Sequence, residues 1–215
     1  VMDPRTGEVL TMASVPSYNP NDPGDAAARG ATKNRAIVDT YEPGSTMKTF
    51  TFAAALDVGK LQPHDPYDCE MGRMLVGKNI IRDTHPYAWI SAAEVFQHSS
   101  NICTYKIAAR QLGREKLFDS LKRFGFGQKT GLGLHGEQAG ILRPASRWAE
   151  ITFANIAFGQ GMTATPLQLA TGYAAVASGG MYRPPRLALR IVHPDGRTEA
   201  APVAAHAMPE QLSLI

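Results

Sequence analysis

Glu42-Pro43-Gly44-Ser45-Thr46-Met47-Lys48-Thr49-Phe50 is the stretch from which the rest of the chain can be read. Pro43-Gly44 predicts a turn. Residues 46–58 (TMKTFTFAAALDV) predict a helix that stops at Gly59, a residue suited to a left-handed cap. Ser45 therefore falls at a helix N-terminus, where unpaired N–H groups and the helix dipole favour developing negative charge. Lys48 follows one turn later, within reach of Ser45. A serine hydroxyl is a weak nucleophile until a base takes its proton, and a desolvated, neutral lysine can be that base. Taken alone, the pair also has a plainer reading: a serine N-cap followed by a solvated lysine.

The 215 residues, 44% of them apolar, suffice for one domain with a substantial core. The net charge of +3 arises from scattered basic residues, a distribution that does not point to nucleic acid. No apolar run reaches the ~20 residues needed to cross a bilayer. The chain opens at Val1 with neither an initiator methionine nor a signal peptide, so a piece of a longer protein is expected. Cys69 and Cys103 are either free thiols or one disulfide, a choice that spacing leaves open. His64, His85, His98 and His135 lack ligand spacing, and no metal or other cofactor is expected.

Along the chain, residues 1–14 predict two strands around Pro4-Arg5-Thr6-Gly7, and residues 16–34 are too rich in Pro, Gly, Asn and Asp for regular structure. Residues 60–87 read as irregular apart from a short hairpin at 73–81. Ser91 with Glu94 forms a capping-box pattern that opens a helix to about His98. Further helices are expected over 102–112, 115–124 and 147–158, and from Thr165-Pro166 to Gly179. A strand pair around Pro194-Asp195-Gly196 closes the pattern. Strands at both ends with helices between predict an α+β (mixed α/β) fold.

A second polar cluster lies at Ser99-Ser100-Asn101, in the break between two helices. A serine there can relay a proton and an asparagine amide can grip a carbonyl, although either serine could simply cap the next helix. Ser-x-x-Lys at a helix start, followed by Ser-x-Asn between helices, resembles penicillin-binding proteins and serine β-lactamases. Neighbouring words narrow the resemblance to class B, monofunctional penicillin-binding proteins. They are Asp3-Pro4-Arg5-Thr6-Gly7-Glu8-Val9-Leu10, Asn34-Arg35-Ala36, Phe124-Gly125-Phe126-Gly127 with Thr130-Gly131, and Phe158-Gly159-Gln160-Gly161 with Thr165-Pro166-Leu167-Gln168. Ser-Ser-Asn at 99–101 resembles the division-specific type.

The resemblance implies an antiparallel sheet flanked by helices and a peptidoglycan D,D-transpeptidase acting in septal wall synthesis. It assigns Ser45 as nucleophile, Lys48 as its base, Ser99 as proton relay and Asn101 as a substrate-side-chain anchor, with Gln160 and Thr163 near the cleft. The implied partners are peptidoglycan stem peptides, β-lactam antibiotics and division-complex proteins. The implied location is the outer face of the cytoplasmic membrane, with an N-terminal anchor helix that this sequence does not contain.

The family also needs a Lys-Thr/Ser-Gly triplet on a strand beside the cleft. Lys129-Thr130-Gly131 has the letters, but glycines flank it and it precedes the Gly-Gln-Gly region, so it is read as a different loop. The expectation is a transpeptidase domain over residues 1–215 that stops before the true triplet, the remaining strands and the C-terminal helix. On that reading, activity of the chain by itself is in question. Two alternatives stand beside this reading: a serine β-lactamase or β-lactam sensor, and a non-catalytic interaction fragment of a division protein.

Overall fold

The computed structural model describes residues 1–22, 24–25, 30–58 and 60–201. Gly59, the expected helix cap, lies outside the described residues. The short helix α1 (Arg35–Val38) is followed by a 3-10 turn over Gly44–Met47 that feeds directly into α2 (Lys48–Asp57). The helix expected from residue 46 thus begins as a tighter turn, a common way for an α-helix to start.

Helix α2 buries almost its whole surface, from Lys48 through Phe50, Thr51, Phe52 and the three alanines at 53–55. A helix enclosed over most of its surface, with Leu56 left exposed, belongs at the centre of a core. The Phe50 ring meets Phe124, Phe126 and Tyr173 edge-on, with centroids 5.0, 4.8 and 5.1 Å away. Gly172 makes room for that cluster, since a Cβ there would sit 2.8 Å from the Phe50 ring.

Two antiparallel pairs flank this centre. β1 (Pro66–Asp68) pairs with β4 (Trp89–Ser91), and β2 (Arg73–Val76) with β3 (Asn79–Arg82) in the expected hairpin. β1 lies in the stretch read as irregular and β4 just after it, since strands of three residues carry too little alternation to register as a pattern. Helix α3 (Ala92–His98) opens on Ser91 and Glu94, which cap each other reciprocally as expected. Helices α4 (Asn101–Gln111) and α5 (Gly113–Arg123) follow, and α2 packs against α3, α4 and α5.

Helix α6 (Glu150–Ala157) is shorter than expected. The Trp148 indole N–H donates to the Arg143 carbonyl at 2.8 Å and its ring stacks on Phe153, which holds residue 148 extended and delays the helix. Helix α7 (Pro166–Ala177) begins on a capping box between Thr165 and Gln168. The final pair, β5 (Arg190–Val192) with β6 (Thr198–Ala200), surrounds the expected turn.

The N-terminal hairpin is reduced to a single bridge between Met2 and Val9. It is tied to the far end of the chain by Val9 N–H to the Arg186 carbonyl (2.9 Å) and Arg186 N–H to the Gly7 carbonyl (3.0 Å). Among the described residues the antiparallel character is carried by three separate strand pairs.

Cys69 and Cys103, both fully buried, form a disulfide with Cα atoms 5.2 Å apart, which decides the alternative that spacing left open. It fastens the segment after β1 to the first turn of α4. For a closure of 34 residues, chain entropy assigns a stabilisation of about 3–4 kcal/mol. Replacing both cysteines by serine is expected to lower the melting temperature by roughly 10 °C, and treating the unmodified chain with a reductant by a similar amount. Thermal melts with and without reductant check this; equal melting temperatures would show that the bridge adds nothing.

Candidate active site

Lys48 is only 2% exposed, at the start of α2. A buried ammonium needs acceptors, and one residue supplies both of them. Nζ donates to Ser99 Oγ at 2.9 Å and also to the Ser99 carbonyl oxygen. Ser99 can offer two oxygens to one amine because it ends α3 in the left-handed conformation (φ +57°), which is uncommon for a residue other than glycine. Burial pushes the Lys48 pKa down to about 8, and the Asp83 carboxylate opposes the shift. The unfolded chain therefore binds more protons than the folded one between about pH 8 and the ordinary lysine value of 10.5, so this site's cost to stability eases as the pH rises through that window.

Ser45 stands exposed on the 3-10 turn, three residues ahead of Lys48. That turn is braced from the side by Tyr173, whose hydroxyl donates to the Thr46 carbonyl at 2.9 Å and lies 3.0 Å from Thr49 Oγ1. The Lys48 ammonium bonds to Ser99, and no bond between Lys48 and Ser45 is present.

The two serines of the second cluster divide the tasks that the sequence left open. Ser100 caps α4, accepting from the Cys103 N–H at 3.0 Å, while Ser99 faces Lys48. Asn101 is the first residue of α4, and its Nδ2 donates to the Arg82 carbonyl at 2.9 Å. The Gly159–Gly161 loop folds onto the segment just before Ser45: Gly44 N–H donates to the Gly159 carbonyl and Gly161 N–H to Glu42 Oε1, each at 2.8 Å. Gln160 is thereby carried, exposed, beside the Ser45 turn. Thr163 pairs through its backbone with Ile141, and its hydroxyl oxygen is buried with no partner among the described residues. Among the described residues, no group of three or more His, Cys, Asp or Glu side chains is placed to hold a metal ion.

The model of the penicillin binding protein transpeptidase domain matches residues 1–212. The chain belongs to that family. The probable peptidoglycan D,D-transpeptidase PenA of Neisseria meningitidis is 38% identical to it over 197 residues, which are 92% of this chain and 33% of that protein. The peptidoglycan D,D-transpeptidase FtsI of Escherichia coli is 39% identical over 184 residues, 86% of this chain and 31% of that protein. The chain thus spans about a third of the length of these relatives. Among solved structures, penicillin binding protein 3 of Mycobacterium tuberculosis, described in complex with aztreonam, superposes with a TM-score of 0.86 at 33% identity. That likeness covers 100% of this chain and 47% of the other. The transpeptidase domain of Burkholderia pseudomallei penicillin-binding protein 3 superposes with a TM-score of 0.77 at 29% identity, covering 93% of this chain and 55% of that one.

Within this transpeptidase fold, Lys129-Thr130-Gly131 lies on a loop. Thr130 is buried, and both its N–H (2.6 Å) and its hydroxyl (2.5 Å) donate to the buried Glu137 carboxylate. Those bonds close the glycine-rich segment on itself, a structural task. Three residues with no assigned role in the sequence prove to organise the site: Asp83, Tyr173 and Gln168. The buried Gln168 amide donates to the Gln128 carbonyl (2.7 Å) and the Ala139 carbonyl (2.9 Å), joining α7 to that glycine-rich segment. Only its place in the Thr165-Pro166-Leu167-Gln168 word could have flagged it; Asp83 and Tyr173 had no local signal.

Gly159, at φ +87°, is where the loop and the Ser45 turn touch most closely, and an added Cβ would lie 2.0 Å from the Gly44 carbonyl oxygen. Gly159→Ala is expected to cost about 2 kcal/mol or more and to slow modification of Ser45 by at least about tenfold. Gly179, also at positive φ (+71°) but with nothing within 4 Å, is the control. Gly179→Ala carries the backbone strain without the clash and is expected to leave Ser45 reactivity unchanged. Thermal melts and labelling by a fluorescent penicillin measure both; equal effects of the two variants would refute the importance of the contact.

Proposed function

We propose that this chain carries the nucleophile, base and proton relay of a peptidoglycan D,D-transpeptidase, with Ser45, Lys48 and Ser99 in those roles. The observation that supports this most directly is the buried Lys48 amine held by both oxygens of Ser99. An ammonium has three N–H donors, whereas a neutral amine has two and a lone pair. Burial, which pushes the Lys48 pKa down to about 8, brings the neutral amine within reach near that pH, with its lone pair available to the Ser45 hydroxyl one turn away.

On this reading the Ser45 oxygen attacks the penultimate D-alanine carbonyl of a stem peptide, and its proton passes to Lys48. The tetrahedral oxyanion forms beside the N-terminal N–H groups of the turn that feeds α2, where the helix dipole favours it. As the C–N bond breaks, the proton is delivered through Ser99 to the departing D-alanine amine. The acyl ester on Ser45 is then taken by an amine of a neighbouring stem, forming the cross-link. A β-lactam enters the same way, but its amine leaving group stays tethered to the acyl fragment. Asn101, at the N-terminus of α4, and the exposed Gln160 are proposed as substrate contacts, with Thr163 supporting the same edge of the cleft. The catalytic Lys-Thr/Ser-Gly triplet is proposed to be distinct from Lys129-Thr130-Gly131.

The names of the relatives and the Cys69–Cys103 disulfide are consistent with a role outside the reducing cytoplasm, in septal wall synthesis with division proteins as partners. Among the described residues no helix is long and apolar enough to cross a membrane.

Intact mass after incubation with a penicillin tests the assignment: a gain equal to the whole antibiotic is expected for the wild type and none for Ser45→Ala. Because Lys48 must be neutral to accept the proton, the acylation rate is expected to rise with pH through a midpoint near 8 and then level off. A mass gain that persists in Ser45→Ala would remove Ser45 from its role. A rate independent of pH across that range would remove Lys48 from its own.

A further inference from the structure

Asp83 follows directly on β3, and its half-buried carboxylate meets the beginning of α4 at three points. Oδ2 accepts from the Ser100 hydroxyl at 2.6 Å; Oδ1 accepts from the Asn101 N–H at 2.5 Å and from the Ile102 N–H at 3.1 Å. The adjacent Arg82 carbonyl accepts from the Asn101 side chain, and the Asp83 N–H donates to the Gly72 carbonyl at 3.1 Å. Four bonds therefore join the end of one strand to the first turn of one helix.

A serine cap alone already serves this helix, since Ser100 accepts from the Cys103 N–H. The carboxylate goes further. It occupies the two N–H groups that precede the one Ser100 reaches, and it places a full negative charge at the positive end of α4. The residue immediately before this turn is Ser99, whose left-handed backbone presents both oxygens to Lys48. We propose that Asp83 is the positioning residue of this site: by clamping the start of α4 it holds Ser99 and Asn101 in place opposite Lys48.

The inference rests on the reading that Lys48 and Ser99 serve acylation of Ser45. It adds a residue that touches none of the reacting atoms and acts through Ser99, Asn101 and Lys48. Asp83 also bears on Lys48 through space. It is the charged group among the described residues that acts on the lysine, favouring its protonated form, while Ser99 provides the hydrogen bonds. Clamp and charge predict separable effects. Loss of the clamp lowers the maximal rate, and loss of the charge moves the midpoint of the pH profile downward, because the ammonium is no longer favoured.

The experiment compares wild type, Asp83→Asn, Asp83→Glu and Ser45→Ala in the full-length protein. Second-order acylation by a fluorescent penicillin is followed from about pH 6 to about pH 9, with circular dichroism as a check on folding. Asp83→Asn is expected to lower the plateau rate by about 10- to 100-fold and to shift the midpoint to lower pH. Asp83→Glu is expected to restore the midpoint and part of the rate. A plateau within about threefold of wild type for Asp83→Asn overturns the proposal, whatever the midpoint does. So does a slower plateau with an unmoved midpoint, which would mark an ordinary helix cap, or loss of folding in both Asp83 variants, which would mark a determinant of the fold. Labelling that persists in Ser45→Ala, or a wild type that is not labelled, would instead overturn the reading of Ser45.

Discussion

A lysine that has lost its water must find acceptors within the protein, and in this chain Lys48 finds them in the backbone and side chain of one residue. That contact spans 51 residues of sequence, linking the beginning of the central helix α2 to the break between α3 and α4. It depends on both partners being held rigidly, and much of the architecture can be understood as doing so. Helix α2 is locked by its burial, by the aromatic rings around Phe50 and by the Thr51 hydroxyl, which donates to the Ala157 carbonyl of α6 at 2.7 Å. The break is locked by the strained conformation of Ser99, by the clamp from β3 and by the disulfide into α4.

The serine itself needs a different environment. Ser45 is exposed, so it is not fixed by burial, and its position comes from the backbone on either side. The Gly159–Gly161 loop takes the Gly44 N–H and donates to Glu42, and Tyr173 holds the Thr46 carbonyl. Glycine at 159 is a consequence of that close approach, since two backbones meet where no Cβ fits. An exposed serine on a braced turn, three residues ahead of a buried amine, is the arrangement on which the proposed acyl transfer rests.

Much of this was legible in the chain because the signals were local. The capping boxes at Ser91–Glu94 and Thr165–Gln168, the hairpin at 73–82 and the turn at 194–196 follow from residues within a few positions of each other. Where the reading missed, a tertiary contact of a side chain or backbone group had overridden local preference. Trp148 is drawn out of the expected helix by the Arg143 carbonyl and Phe153. β1 and β4 pair across twenty residues that include the β2–β3 hairpin. The N-terminal strands shrink to one bridge with a few bonds of its own, and Gly7 and Val9 bond instead to Arg186.

The sequence by itself determined which chemistry was available: a serine and a lysine one turn apart, a second serine and an asparagine between helices, and two cysteines without metal spacing. It could do so because spacing along a helix translates directly into spacing in space. Only the tertiary structure decided how those groups are used. It turned Lys48 toward Ser99, gave Ser100 the capping task, joined the cysteines, and brought Asp83 from the end of a strand to the start of α4. The physical reason is the same in each case. A buried charge or an unpaired helix end is satisfied by whichever polar group packing brings near, and packing is set by the whole chain at once.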